Sequence, residues 1–462
     1  MDSLMGIYLA GLGIVIALLL FFSITIIGDI TFGFFFWLLA AMFFGKEFFF
    51  LSFPGLPDIF LERVIFIPLL AVFVYQIWTG KERLLKNTAL EYLMLFMLAI
   101  LVVSMFRTGF LAITREELQP FSVFLSGFFF PFFFYYFGKT MIYSEKRVQI
   151  LLWTFFPLLV YLVLVSYLEH FKLYDFIFPR YIANPLVGIH FGRARGPFLT
   201  APVNGWIIGS LFIITLFLRS RISDMGMRFW MSLVLLFSIP ALFYTYTRAV
   251  WLSFLIAPLL VILLSKRMVF RARFLVFPLC LLLLYISLNW QNIISPTRET
   301  GGVFQVSEVQ DRLALFEATK TIFKDYPLYG VGFGRFGRAA AQYYSTLGLR
   351  VDIRATAQHN IFFSLVSELG IIGLIPFILI LFLILRYSWI LYRQLGEEGV
   401  ISRDLIVTFW GILVIYLINA SFIQTQYFTS ANCFLFVWIG TIVGLYQRKV
   451  LMQGPDQEPS PA

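Results

Sequence analysis

Residues 327 to 337 read PLYGVGFGRFG, with Gly332, Gly334 and Gly337 in the spacing G-x-G-x-x-G. Glycines so placed let a backbone approach a phosphate closely and aim free N–H groups at it. Arg335 and Arg338 bring two guanidinium groups alongside, as lower-ranked donors to an anion. A dinucleotide site also needs a buried strand before the first glycine, a helix after the third and an acidic residue about 20 positions on. Here a helix end and Pro327 come first and no strand–helix–strand unit surrounds the run, which argues against a nucleotide. Two readings remain: a loop that receives some other anionic group, or an irregular turn that packs closely on membrane helices.

Other residues with chemical reach are few. The chain has three histidines, His170, His190 and His359, and no acidic pair at metal-ligand spacing outside its apolar runs, so no metal site is expected. His170 and His190 read as ordinary loop residues. His359 stands with Asn360 at the mouth of an apolar run, where either could cap a helix. Glu368 lies nine residues further, about 13 Å down a helix, where a carboxyl needs a partner or a proton. It either supports a site from below or joins two helices. Cys280 and Cys433 fall inside apolar runs and read as small buried hydrophobes.

The elements that must position these residues are membrane helices. Of 462 residues, 60% are hydrophobic and only 13% charged, and mean hydropathy is +0.88. Apolar runs of roughly 15 to 25 residues, the length that crosses a bilayer as a helix, recur along the chain. The first, from Met5, has no basic flank or small-residue cleavage site and reads as a retained helix. The net charge of +10 would suggest nucleic acid in a soluble protein. Here the basic residues cluster in short loops, such as Lys81/Arg83/Lys86, Arg219/Arg221/Arg228 and Arg448/Lys449, so no nucleic-acid partner is expected. The positive-inside rule makes those loops cytoplasmic.

Spans are expected near 64–79, 88–106, 121–138, 148–168, 203–218, 229–243, 249–264, 274–290, 361–385, 405–420 and 429–446, with one or two more in 5–44. The fold class is thus an all-α polytopic membrane protein of about 12 transmembrane helices with its C-terminus inside. The division expected is 1–200, N-terminal helices with an outer loop at 169–202; 201–447, a core with an outer loop at 291–358; and 448–462, a disordered cytoplasmic tail. In the larger loop, Ser307 to Gln310 has the form of a capping box. It opens a membrane-surface helix with the apolar stripe Val309, Leu313, Phe316 and Phe323, ended by Tyr326-Pro327. Arg248 lies at the outer end of its span, against the positive-inside bias, which favours a functional role. Arg312, in the loop helix, has Glu308 four residues before it as a possible surface partner.

The strings TYTRAVW at 245–251, DRLALFEATKTIFKDYPLYGVGFGRF at 311–336 and QHNIFFSLVSELGIIGL at 358–374 resemble, in order and spacing, the core of the O-antigen ligase and polymerase superfamily of bacterial membrane glycosyltransferases. RARGPFLTAPVNGW at 193–206 is similar to the segment that leads from an outer loop into a span in that family. The resemblance implies an undecaprenyl-pyrophosphate-linked glycan donor and an acceptor hydroxyl on lipid A core or on a second glycan. It implies transfer with inversion at the periplasmic face of the inner membrane, without metal or cofactor. Carried over by position, its functional arginines fall on Arg248 and Arg312 and its histidine on His359, as base or orienting group. Arg193 and Arg195 are further donor-binding candidates, and Asn360 and Glu368 supporting ones. Ligation onto lipid A core is the leading expectation and polymerisation the alternative. A lipid or glycan transporter is more remote, since such folds favour repeated halves and none is evident.

Overall fold

The computed structural model describes residues 29–43, 50–51, 59–111, 119–265, 287, 306–347 and 358–451. In chain order its helices are α1 (Thr31–Phe43), α2 (Leu61–Trp78), α3 (Ala89–Thr108), α4 (Pro120–Met141), α5 (Glu145–His170), α6 (Ala201–Arg221), α7 (Met225–Phe243) and α8 (Arg248–Leu264). They continue with α9 (Val306–Asp325), α10 (Phe336–Leu347), α11 (Ile361–Gln394), α12 (Arg403–Ala420) and α13 (Thr429–Tyr446). Two-residue strands, Phe50–Leu51 and Ile59–Phe60, pair antiparallel ahead of α2. Among the described residues nine helices are long and apolar enough to cross a membrane, and α1 and α8 are shorter apolar helices. The chain is a multi-pass helical membrane protein. The expected span at 274–290, Cys280 and most of 5–44 lie outside the described residues.

Local sequence explains where the helices begin. Thr88 and Glu91 form a reciprocal capping box on α3, and Ser144, Asp224 and Asn360 cap α5, α7 and α11 with side-chain oxygens. Within α4 a π-turn, Leu125–Phe129, comes directly before Phe130-Pro131, where the proline has no N–H for the helical ladder. α6 is enclosed along its whole apolar length and occupies the middle of the bundle. α4 and α13 meet through small residues: a Cβ on Gly440 would lie 2.0 Å from the Tyr135 carbonyl oxygen, and one on Gly138 2.2 Å from that of Val437. Lipid-sized apolar side chains such as Ile67, Val74 and Trp78 of α2 are left on the outside.

The basic residues of the short loops lie at one end of the bundle and are interlinked there. Arg147 pairs with Glu82 at 2.6 Å, and Arg221 with Asp404 at 2.8 Å. Buried Lys139 pairs with Glu91, which also accepts the Tyr135 hydroxyl, and Arg448 donates to the carbonyls of Lys139 and Thr140. Helical structure continues through Gln447–Leu451. At the opposite end lie three short 3₁₀ turns between α5 and α6, together with α9 and α10.

The loop helix α9 ends at Asp325, as Tyr326-Pro327 predicts, but buries a different stripe. Ala314, Leu315, Ala318 and Ile322 pack on Phe336 and Ala340 of α10, while Leu313 and Phe316 stay exposed. A neighbouring helix takes the small-residue face, and alanines carry little weight in a hydropathy pattern.

Candidate active site

The last residues of α12 and the turn after it, residues 419–424, form a junction at the end away from the basic loops. Asn419 donates to Ser253 of α8 at 3.0 Å. Ser421 accepts the Asn360 side-chain amide at 3.0 Å through its carbonyl. Gln424 exchanges hydrogen bonds with Gln358, accepting the backbone N–H at 3.0 Å and donating to the side-chain oxygen at 3.1 Å. Two segments distant in sequence, α8 and residues 358–360, are thereby fixed to one floor.

Arg248 is the first residue of α8, and Thr247 makes no side-chain cap there. The start of α8 is itself anchored on the end of α7: Trp251 stacks on Phe243 with centroids 4.5 Å apart and planes 2° apart. Arg312 comes from α9, its guanidinium 5.4 Å from the centre of the Phe422 ring on the junction turn. One helical turn on, Phe316 meets Phe363 of α11 at 5.4 Å. Partial burial, and then the like charge of Arg248, push the Arg312 pKa below its ordinary value. Two cations that disfavour each other in this way form a place that favours an anion.

His359 is exposed, with a left-handed backbone (φ 53°) that a non-glycine residue adopts only when its neighbours impose it. Both neighbours do. The buried Gln358 side chain donates to the Phe363 carbonyl and to Ser367, besides its bonds to Gln424. Asn360 caps α11 by accepting the N–H groups of Phe362 at 2.8 Å and Phe363 at 3.1 Å. Arg312 and both neighbours of His359 thus contact residues 419–424, and Arg248 lies close enough to Arg312 to shift its pKa. The side chain of Glu308 lies outside the described residues.

The glycine run has a definite use. α11 is interrupted at Gly370 (φ 64°, ψ −157°), and the loop after α9 fills the break. Val331 and Gly332 donate to the carbonyls of Ser367 and Glu368, while Ile371 and Ile372 donate to those of Pro327 and Leu328, all between 2.9 and 3.1 Å. The Glu368 side chain lies beside the N–H groups of Gly334 and Phe336, between α11 and the loop. A Cβ on Gly330 would lie 2.4 Å from the Glu368 backbone, and one on Gly332 2.3 Å from Thr108. Of the two readings of this motif, close packing against membrane helices describes its geometry.

The lower-ranked arginines divide. Arg195 is fully buried and donates to the carbonyls of Ile182, Asn184 and Val187, with Glu169 3.9 Å away. Arg335 is buried and donates to the carbonyls of Gly109 and Leu111. An anion would reach either only by displacing these bonds, so both differ from the expectation of a donor-binding group. Arg193 is half-buried, its pKa lowered by desolvation, and next to Ala194, whose N–H donates to the Tyr244 carbonyl. Arg338 is exposed on α10. His170 stacks on Tyr244 at 3.7 Å, and His190 Nδ1 lies 3.5 Å from the Thr200 hydroxyl, so both are held in loop packing.

Asn419, Gln424 and Gln358 were missing from the sequence-based candidates. The signal for them is present in NASFIQTQYFTSAN at 419–432, a cluster of amides and hydroxyls inside an otherwise apolar region.

Comparison with protein families matches residues 233–378 to the family described as O-antigen ligase. Over these residues, about a third of the chain, the protein carries a segment of the O-antigen ligase family. The O-antigen ligase segment begins in α7, spans α8, α9 and α10, and ends in α11, so it contains Arg248, Arg312 and His359. Arg193, Arg195 and the junction turn lie outside it. No curated protein matches the chain. At the coarse level the family gives, the activity is that of a membrane glycosyltransferase.

Proposed function

We propose that the protein moves a glycan from an undecaprenyl-pyrophosphate carrier to a hydroxyl of lipid A core, at the periplasmic side of the inner membrane. The observation that carries this is the closeness of Arg248 to Arg312, with Arg312 and both neighbours of the exposed His359 in contact with residues 419–424, away from the basic end. In the reaction the acceptor oxygen bonds to the anomeric carbon while the bond from that carbon to the pyrophosphate oxygen breaks. The leaving pyrophosphate keeps the electron pair. Its growing charge faces two guanidinium forks and the uncapped start of α8, whose N–H groups point the same way. His359 takes the proton from the acceptor hydroxyl, and its imposed backbone conformation sets the direction of the ring. Asn360 and Glu368 support this geometry from α11, and Arg193 is the further donor-side cation. The organisation that goes with the reading is an N-terminal helical region at 1–200 and a ligase core at 201–447.

The test is transfer by purified, reconstituted protein from an undecaprenyl-pyrophosphate oligosaccharide in EDTA, with lipid A core and a second donor glycan as rival acceptors. Glycan on the core, with His359→Ala slowed about 10²- to 10⁴-fold, is the expected result. Elongated lipid-linked glycan would make it a polymerase instead. No transfer with folded protein and intact donor would remove the enzymatic reading. A His359→Gln variant that keeps near-normal turnover would make this residue an orienting group.

A further inference from the structure

A second polar recess lies at the same end of the bundle, beyond the far end of α9. It is a groove of about 430 Å³ between the end of α3, the turn after α9 and the exposed face of α10. Tyr326 and Tyr329 present exposed rings to it, and Arg338 and Gln342, one helical turn apart, present exposed polar groups from α10. Arg107 lies across the Tyr329 ring at 4.5 Å and donates to the carbonyls of Tyr329 and Gly330, which fixes the ring on its loop. Tyr343 is held by Asp325, a bond that raises its pKa to about 12 and keeps the phenol protonated. The loop beneath is tied into the break in α11 by four backbone hydrogen bonds.

Flat aromatic faces beside fixed donors suit a ligand with apolar ring faces and a rim of hydroxyls. A pyranose chain has that surface. Length also bears on the choice. Tyr326 is 14 residues from Arg312, about 21 Å along a helix, so no single sugar spans both sites. Between them the exposed positions Leu313, Glu317, Lys320 and Lys324 form one continuous face of α9. We infer that this groove is a saccharide subsite that holds sugars several units away from the reacting bond. The inference rests on the glycosyltransferase reading, and the shared chemistry is an oligosaccharide, supplied by either the donor or the acceptor.

Binding can be measured without turnover. The probes are lipid-free oligosaccharides of one, two and three repeats, released by mild acid from the host's polyprenyl-linked pool, and lipid-free core oligosaccharide. Each is titrated into full-length protein in nanodiscs by calorimetry or saturation-transfer NMR. Multi-repeat glycan bound at least tenfold more weakly by Tyr329→Ala and by the double variant Arg338→Ala/Gln342→Ala is expected, with His359→Ala binding as wild type. Tyr329 anchors Arg107 through its backbone carbonyl, and the α10 pair is exposed, so at least one variant should stay folded. Preference for repeats would assign the donor chain, and preference for core the acceptor. Unchanged affinity in both variants, or no saccharide binding by the wild type, would overturn the subsite even if transfer is active. Groove-dependent binding in a protein that transfers nothing would keep the subsite and remove the reaction.

Discussion

Arginine is used in two opposite ways at the same end of this bundle. Arg195 and Arg335 are buried, and their donors are committed to backbone carbonyls of the outer loops. Arg248 and Arg312 stand in partial contact with solvent, close enough that one lowers the pKa of the other. The first pair lets irregular backbone exist next to membrane helices, where a carbonyl without a partner is costly. The second pair brings two like charges close together, an arrangement that favours an anion between them. Position in the fold, rather than residue type, separates the scaffold from the site.

That contrast can be broken by experiment. Arg195→Met removes the partner of Glu169 and of three carbonyls, and should cost about 3–5 kcal/mol of stability. Thermal melting in detergent should show it, with activity falling only as the folded fraction falls; a normal melt with lost turnover would move Arg195 into the site. Arg248→Lys keeps the charge but loses the fork, and turnover should drop about 10²- to 10³-fold with an unchanged melt. Near-normal turnover would take Arg248 off the pyrophosphate. Inorganic pyrophosphate should stabilise the wild-type protein, by about 2.7 kcal/mol at a hundred times its Kd. The gain should vanish in Arg312→Gln and persist in Arg338→Gln; equal stabilisation of both would place the anion elsewhere. Asn360→Ala should lose about 1 kcal/mol as a helix cap. It should also slow turnover modestly through the freed His359 backbone, and unchanged kinetics would show that the cap does not position the histidine.

The membrane helices were legible because their signals are local. Run length, basic loops, and caps such as Ser144 and Asn360 can be read within a few residues. Arg248 was visible as a charge at the wrong end of a span, and Asn360 as a cap. The pairing of Gln358 with Gln424, 66 positions away, has no local trace. The packing of Val331 and Gly332 into a break in α11 has none either. The stripe on α9 was misplaced because the partner helix α10 selects Ala314 and Ala318, whose small side chains allow close approach. Arg195 and Arg335 could not be told from ligand-facing arginines without the carbonyls around them.

The interrupted helix α11 also limits how the chain can be re-engineered. Because the loop at 327–332 supplies the hydrogen bonds that α11 lacks around Gly370, the loop and the helix are one inseparable part. Thr108 and Pro120 also sit against its glycines. A chimera that exchanges the loop alone, to graft another specificity, would leave backbone groups unmatched in the bilayer. The smallest transferable module runs from the end of α9 to beyond Ile372, with the α3–α4 connection carried along.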